Sequence, residues 1–277
     1  MTQSPTPIHD TVREHYAERI KNSASCCGSD ACCSTESSLY PVDLLTTVPS
    51  DVASTSYGCG DPITLASLKP GQTVLDLGSG AGLDCILAAQ KVGDTGHVIG
   101  VDMTPEMIER AKANAKRVNL KNVEFRFGYL ENLPVDSNTV DVIISNCVIN
   151  LSANKDRVLK EAFRVLKPGG RFAVSDVVTR GEILPEIRKN VLLWVGCVAG
   201  ALEQEEYRAK LTTAGFVNVD IEPTRIYRAE DAMSFLKDQG IDFDAIAPQV
   251  DGKFMSAFIR AQKPATDRSC CGPTCCA

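Results

Sequence analysis

The sequence predicts an α/β fold: a mostly parallel sheet with helices on both faces and a smaller C-terminal α+β region. Three observations carry this. From Gln72 onward, short apolar runs alternate with segments of helical periodicity. The runs are near-continuously apolar, as strands covered on both faces must be. The chain's 277 residues, 44% apolar and 23% charged, are enough to build a core without staples.

The elements follow in order. Residues 9–22 place Val12, Tyr16, Ala17 and Ile20 at helical spacing. Residues 22–38 are small, polar and cysteine-rich, the composition of a loop or arm. Thr73–Leu77 reads as the first strand, followed by a helix over 82–92 with Leu83, Ile86 and Leu87 on one face. His97–Val101 is the second strand. Thr104 is placed to cap the next helix, with Pro105 at its first position and Met107, Ile108, Ala111, Ala115 and Val118 as its stripe. Val123–Phe127 and Val140–Ser145 are strands three and four. A helix over 155–166 ends at the turn Lys167-Pro168-Gly169-Gly170, and strand five runs over 171–178. A helix over 185–202, a second through Ala214, and strands near 216–221 and 253–261 complete the fold. The last two strands suit an antiparallel edge of the same sheet.

This divides the chain into a cysteine-rich arm (1–40), a core (41–180), a C-terminal part of the fold (181–263) and a tail (264–277). Net charge is −6, against the basic face that a nucleic-acid binder needs. The longest largely apolar stretch, 191–202, is too short to span a membrane. The N-terminus shows neither a basic nor an apolar leader region, so a cytoplasmic protein is expected.

Twelve cysteines stand out in such a chain. Reduced compartments favour metal or redox chemistry over disulfide scaffolding. Four lie in Cys26-Cys27-Gly28-Ser29-Asp30-Ala31-Cys32-Cys33 and four in Cys270-Cys271-Gly272-Pro273-Thr274-Cys275-Cys276. Adjacent thiols can capture soft metals, and a weakly structured tail accounts for the clusters as well. Cys59, Cys85, Cys147 and Cys197 stand singly. Cys85, on an amphipathic helix, reads as a buried inert thiol.

Asp76-Leu77-Gly78-Ser79-Gly80-Ala81-Gly82 sits where the first strand becomes a helix, and small residues there allow a tight turn and close approach of a ligand. Asp102 ends the second strand, where an acid can accept hydrogen bonds from ribose hydroxyls. Leu83 occupies a position where a dinucleotide fingerprint wants Gly or Ala, which disfavours NAD. With Asp102-Met103, Asn146 after strand four and Leu166-Lys167-Pro168-Gly169-Gly170, the pattern over roughly 57–230 resembles the class I methyltransferases, which have a Rossmann-like fold and use S-adenosylmethionine (SAM).

A narrower resemblance rests on Tyr57-Gly58-Cys59-Gly60, Ser145-Asn146-Cys147-Val148-Ile149-Asn150-Leu151-Ser152 and Trp194-Val195-Gly196-Cys197. These motifs, with Gly100-Val101-Asp102-Met103-Thr104 and Gly128-Tyr129-Leu130-Glu131, resemble the arsenite methyltransferase family. The resemblance implies arsenite and methylarsenite as substrates, arsenic detoxification as the role, and glutathione or thioredoxin as reductant. It implies that Cys59, Cys147 and Cys197 bind trivalent arsenic. It gives a thiol-exchanging role to Cys32, with Cys33 as rival. It implies cofactor contacts at Tyr57, Gly78, Asp102, Met103, Leu130 and Asn146, beside Asp76, Ser79 and Gly80 of the glycine turn.

The chemistry fits. Trivalent arsenic is soft and suits thiolates. Its lone pair carries no proton, so its methylation needs no general base. His9 and His15 lie in the arm and His97 starts strand two, which leaves no histidine expected at the strand ends. Two other readings stay open: a methyltransferase for a carbon, oxygen or nitrogen substrate, and a cysteine-rich protein that sequesters soft metals.

Overall fold

The computed structural model describes residues 7–22, 40–53, 58–181, 200–229, 247 and 251–265. Helix α1 (Pro7–Asn22) matches the first predicted helix, and the short helices α2 (Val42–Leu45), α3 (Ser50–Ala53) and α4 (Pro62–Ala66) lead into the sheet. Asp61 caps α4 by accepting from the N–H groups of Ile63 and Thr64, both at 3.0 Å. Then come β1 (Thr73–Leu77), α5 (Leu83–Val92), β2 (His97–Asp102), α6 (Pro105–Arg117), β3 (Val123–Phe127) and β4 (Val140–Asn146). A 3-10 turn (Ile149–Leu151) precedes α7 (Lys155–Val165), β5 (Leu166–Thr179), β6 (Leu202–Glu203), α8 (Gln204–Ala214), β7 (Val217–Ile226) and β8 (Phe254–Gln262).

The strand order is β3-β2-β1-β4-β5-β8-β7, with β6 pairing the end of β5. β1 to β5 are parallel, while β8 runs antiparallel between β5 and β7. This is the Rossmann-like arrangement with the antiparallel edge that the sequence predicts. Alternation along each strand sends side chains to opposite layers. Leu75, Leu77 and Ile143 join the cluster under α7 and α8, whereas Val74, Val142 and Ile144 join the one under α4 and α5. Truncating the fully buried Leu75 to alanine should cost about 2–5 kcal/mol.

Order reverses between β1 and β4, so their carboxyl ends flank a crevice where ligands of such sheets bind. Two expectations are corrected. Lys167–Gly170 is not a separate turn: β5 starts at Leu166, and the register shift between Val140 and Val142 absorbs the extra residues. Gly169 N–H donates to Lys263 O at 3.0 Å and Lys263 N–H to Gly170 O at 2.9 Å, so pairing with the chain after β8 overrides the turn propensity. The helix predicted over 185–202 does not reach its end, because Leu202 and Glu203 pair in parallel with Val178 and Thr179. The rest of that helix lies outside the described residues, as do the 22–38 arm beyond Asn22 and the tail beyond Ala265. Among the described residues, no helix is long and apolar enough to cross a membrane.

Candidate active site

The glycine turn is built by contact with two neighbouring strands. Gly78 and Ser79 donate to Val101 O at 2.8 and 3.0 Å, bending the chain toward β2. Gly78 has φ of 75°, and a Cβ there would stand 2.3 Å from Val148 Cγ1. Only glycine satisfies both conditions. Asp102 then straps the turn to the next helix. Its Oδ2 accepts from Gly80 N–H at 2.9 Å and its Oδ1 from Thr104 N–H at 2.8 Å. Thr104 does hold the N-cap position and Pro105 the first turn, but the threonine side chain makes no cap bond; Asp102 serves the start of the helix instead.

A cavity opens above this turn. Gly78, Ser79, Gly80, Asp102, Met103, Leu130 and Asn146 line it, seven of the residues expected at the cofactor. Asp76 is not on the wall. It is buried beneath the turn, where Cys85 Sγ donates to its Oδ2 at 3.3 Å. Cys85 is thus the buried thiol the sequence predicts, its pKa pushed up by burial and by neighbouring carboxylates. Tyr57 lies outside the described residues.

Two carboxylates, Asp84 and Asp102, line the cavity, and a third, Asp76, is buried beneath it. Burial raises Asp76 well above the usual range, and the charge of Asp84 adds to it. Burial pushes Asp84 up to about 7, against hydrogen bonds from Tyr40 and Asn146. Asp102 is also raised by burial, against its bonds from Thr104 and Gly80. A cationic ligand beside Asp84 and Asp102 would oppose this effect of burial and favour their ionised forms.

Cys147 lies on the cavity wall directly after β4, and its Sγ is joined to Cys59 Sγ in a disulfide with a Cα–Cα distance of 6.0 Å. The structure therefore brings together two of the four cysteines singled out from the sequence, in oxidised form. Cys197 and Cys32 lie outside the described residues. Cys147 has φ of 61°, a left-handed conformation uncommon for a residue with a side chain, and its N–H donates to Ser175 O at 2.8 Å. Cys59 Sγ stands 3.6 Å from Ser175 Oγ.

The first helix was not expected at the site. Its His9, Val12 and Tyr16 line the cavity. His9 Nε2 reaches Glu131 Oε1, which also accepts from the Ser152 hydroxyl, and its ring packs on Tyr129 at 5.2 Å between centroids. The expectation that no histidine approaches the strand ends is thus overturned: α1 folds back over the sheet and packs on α6. Residues 9, 12 and 16 share one helical face, so the signal lay in extending the Val12–Tyr16 stripe by one turn. His97 does stay away, paired with Glu124 at 3.0 Å.

A family model described as a methyltransferase domain matches residues 68–215. The arsenite methyltransferase of Halobacterium salinarum is 42% identical over 96% of this chain and 69% of its own length. Those of Aquipseudomonas alcaligenes and Homo sapiens are 39% and 36% identical over 76% of this chain. The chain spans 62% and 58% of those two proteins. A solved structure of an arsenic(III) S-adenosylmethionine methyltransferase from Chlamydomonas reinhardtii superimposes with a TM-score of 0.68 at 35% identity, covering 80% of this chain and 73% of that one. Identity of this extent, on a sheet of this strand order, makes the chain a member of the arsenite methyltransferase family.

Proposed function

We propose that the protein transfers a methyl group from SAM to trivalent arsenic held by cysteine thiolates. One observation carries the reading: Cys147, on the wall of the cavity that the glycine turn and Asp102 also line, has its sulfur paired with that of Cys59. The sequence similarity to arsenite methyltransferases supports it.

The cavity fits SAM. Ser79 Oγ is buried there without a hydrogen-bond partner among the described residues, so the wall presents a polar atom for a ligand to satisfy. A Cβ built on Gly80 would meet nothing within 4 Å among the described residues, which leaves room beside the turn for a ligand. In this reading Asp102 receives the ribose hydroxyls with its remaining lone pairs, and Met103 and Leu130 flank the base. When bound, SAM supplies a sulfonium methyl to the arsenic lone pair.

The protein's own residues bind and orient the arsenic. The disulfide must first take two electrons and two protons from a dithiol or from two glutathione molecules. The freed thiols then lose their protons as they displace oxygen ligands from arsenite, releasing water. Cys59 and Cys147 supply two ligands and Cys197 is assigned as the third. Cys32, with Cys33 as rival, exchanges thiols with this centre. The substrate needs no general base, so the work of the site is positioning and exclusion of water. Arsenic detoxification is the role that follows, with glutathione or thioredoxin as the reductant and the cytoplasm as its setting.

The domain division that goes with this reading assigns 41–180 to the SAM site and 181–263 to the third ligand. Purified protein incubated with SAM, arsenite and glutathione should release methylated arsenicals, detected by arsenic speciation. SAM turnover that is independent of arsenite would overturn the reading. The His9–Glu131 pair on the cavity wall would then favour a carbon, oxygen or nitrogen substrate, since it offers a base there.

A further inference from the structure

Asn146 ends β4, one residue before Cys147. A primary amide has two N–H bonds and two carbonyl lone pairs. Asn146 Oδ1 accepts from Cys59 N–H at 2.8 Å and from Gly60 N–H at 3.3 Å. Its Nδ2 donates to Gly60 O at 2.8 Å and to Tyr40 Oη at 3.1 Å, with Asp84 Oδ2 at 3.4 Å. The amide has one sensible orientation, because exchanging its oxygen and nitrogen would set an NH2 against two N–H donors. Its whole hydrogen-bonding capacity is therefore committed within the protein, mostly to the loop that carries Cys59.

The seating is close. A Cβ on Gly58 would lie 2.0–2.2 Å from the amide atoms of Asn146, so the loop packs on this side chain with no space between. Tyr40 Oη in turn donates to Asp84 Oδ1 at 2.8 Å, and both residues are buried. The two cysteines are thus held by different means. Cys147 is fixed by the strand before it and by its bond to Ser175. Cys59, 88 residues earlier, has its N–H held by the Asn146 amide, with its sulfur beside Ser175 Oγ.

We propose that Asn146, oriented by Tyr40 and Asp84, is a positioning residue that seats the Cys59 loop so that its sulfur meets that of Cys147. The consequence for turnover rests on the reading of Cys59 as an arsenic ligand, whereas the seating itself does not.

Two full-length variants test it. Tyr40→Phe keeps the ring and removes the hydroxyl that orients the amide. Gly58→Ala puts a methyl group where the amide sits. In glutathione redox buffers, differential alkylation and peptide mass mapping give the equilibrium fraction of the Cys59–Cys147 disulfide. Each variant should lower that equilibrium constant by roughly five- to tenfold, the scale of one or two lost hydrogen bonds. Tyr40→Phe should also lower kcat/KM for arsenite by a similar factor, through KM, and affect methylarsenite less. A wild-type disulfide equilibrium in either folded variant overturns the proposal. A lowered equilibrium in a protein whose wild type does not methylate arsenite upholds the seating and overturns the arsenic reading instead.

Discussion

His9 Nε2 lies 3.0 Å from Glu131 Oε1, tying the first helix to the cavity wall across 122 residues. Both side chains are largely buried, at 12% and 6% exposure, so water screens the contact little. If α1 completes the cofactor wall, His9→Ala should weaken SAM binding by roughly five- to tenfold. Isothermal titration of the full-length variant would measure it, and wild-type affinity would place α1 outside the cofactor site.

Asp102 combines two duties, since its carboxylate holds Gly80 and Thr104 while facing the cavity. Asp102→Ala should therefore reduce SAM affinity by about 1.5–3 kcal/mol and leave arsenite binding nearly intact. Calorimetry showing unchanged SAM affinity in a folded variant would contradict the assignment.

The cysteines should separate by substrate. Arsenite has three exchangeable positions, while methylarsenite has two. Cys147→Ser and Cys197→Ser should abolish both methylations, whereas Cys59→Ser and Cys32→Ser should cripple only the first. Serine keeps the shape and removes the soft thiolate, so the series tests ligand chemistry. Each variant would be assayed separately with arsenite and with methylarsenite. Wild-type turnover of methylarsenite by Cys147→Ser would sink the scheme.

Asp176 is buried in β5, and burial pushes its carboxyl up to about 7, with one oxygen left without a partner among the described residues. Folding raises this pKa above the ordinary 3.8, so the folded state prefers the protonated form. Its contribution to stability is full below about pH 4 and is lost as the pH rises toward 7. Asp176→Asn, which keeps a neutral group, should therefore raise Tm relative to wild type at pH 8 and change it much less at pH 5. The pKa shift bounds the gain at about 4 kcal/mol. Thermal melts at the two pH values would decide, and an equal effect at both would exclude ionisation as the cause.

Local signals made most of the fold legible. The apolar run Thr73–Leu77 is bounded by a polar residue and a glycine, and β1 has those same limits. Thr104-Pro105 marks the start of α6 because proline's missing N–H costs nothing in a first turn. Lys167–Gly170 misled, because propensity describes an isolated segment, and here the partner strands decide. At the site, the glycine turn and Asp102 could be located from sequence since they lie at strand ends. The seat of Cys59 on Asn146 could not, for it joins positions 87 residues apart through one side chain. His9 could be placed on the Val12–Tyr16 face of α1 but not at the cavity, which depends on how α1 folds back.

The Cys59–Cys147 bond closes a covalent ring around β1 to β4, the half of the sheet that holds the glycine turn and Asp102. A crosslink spanning a loop of this length restricts the unfolded chain and favours the folded one by about 4.6 kcal/mol in the chain-entropy account. Under the proposed arsenic ligation, opening the ring to bind substrate gives up that restriction. The form able to work would then be the less durable of the two redox forms, and substrate bridging the same sulfurs would restore the closure as it binds. Protein purified without reductant should outlast the reduced enzyme on storage, and arsenite should protect the reduced enzyme against heat.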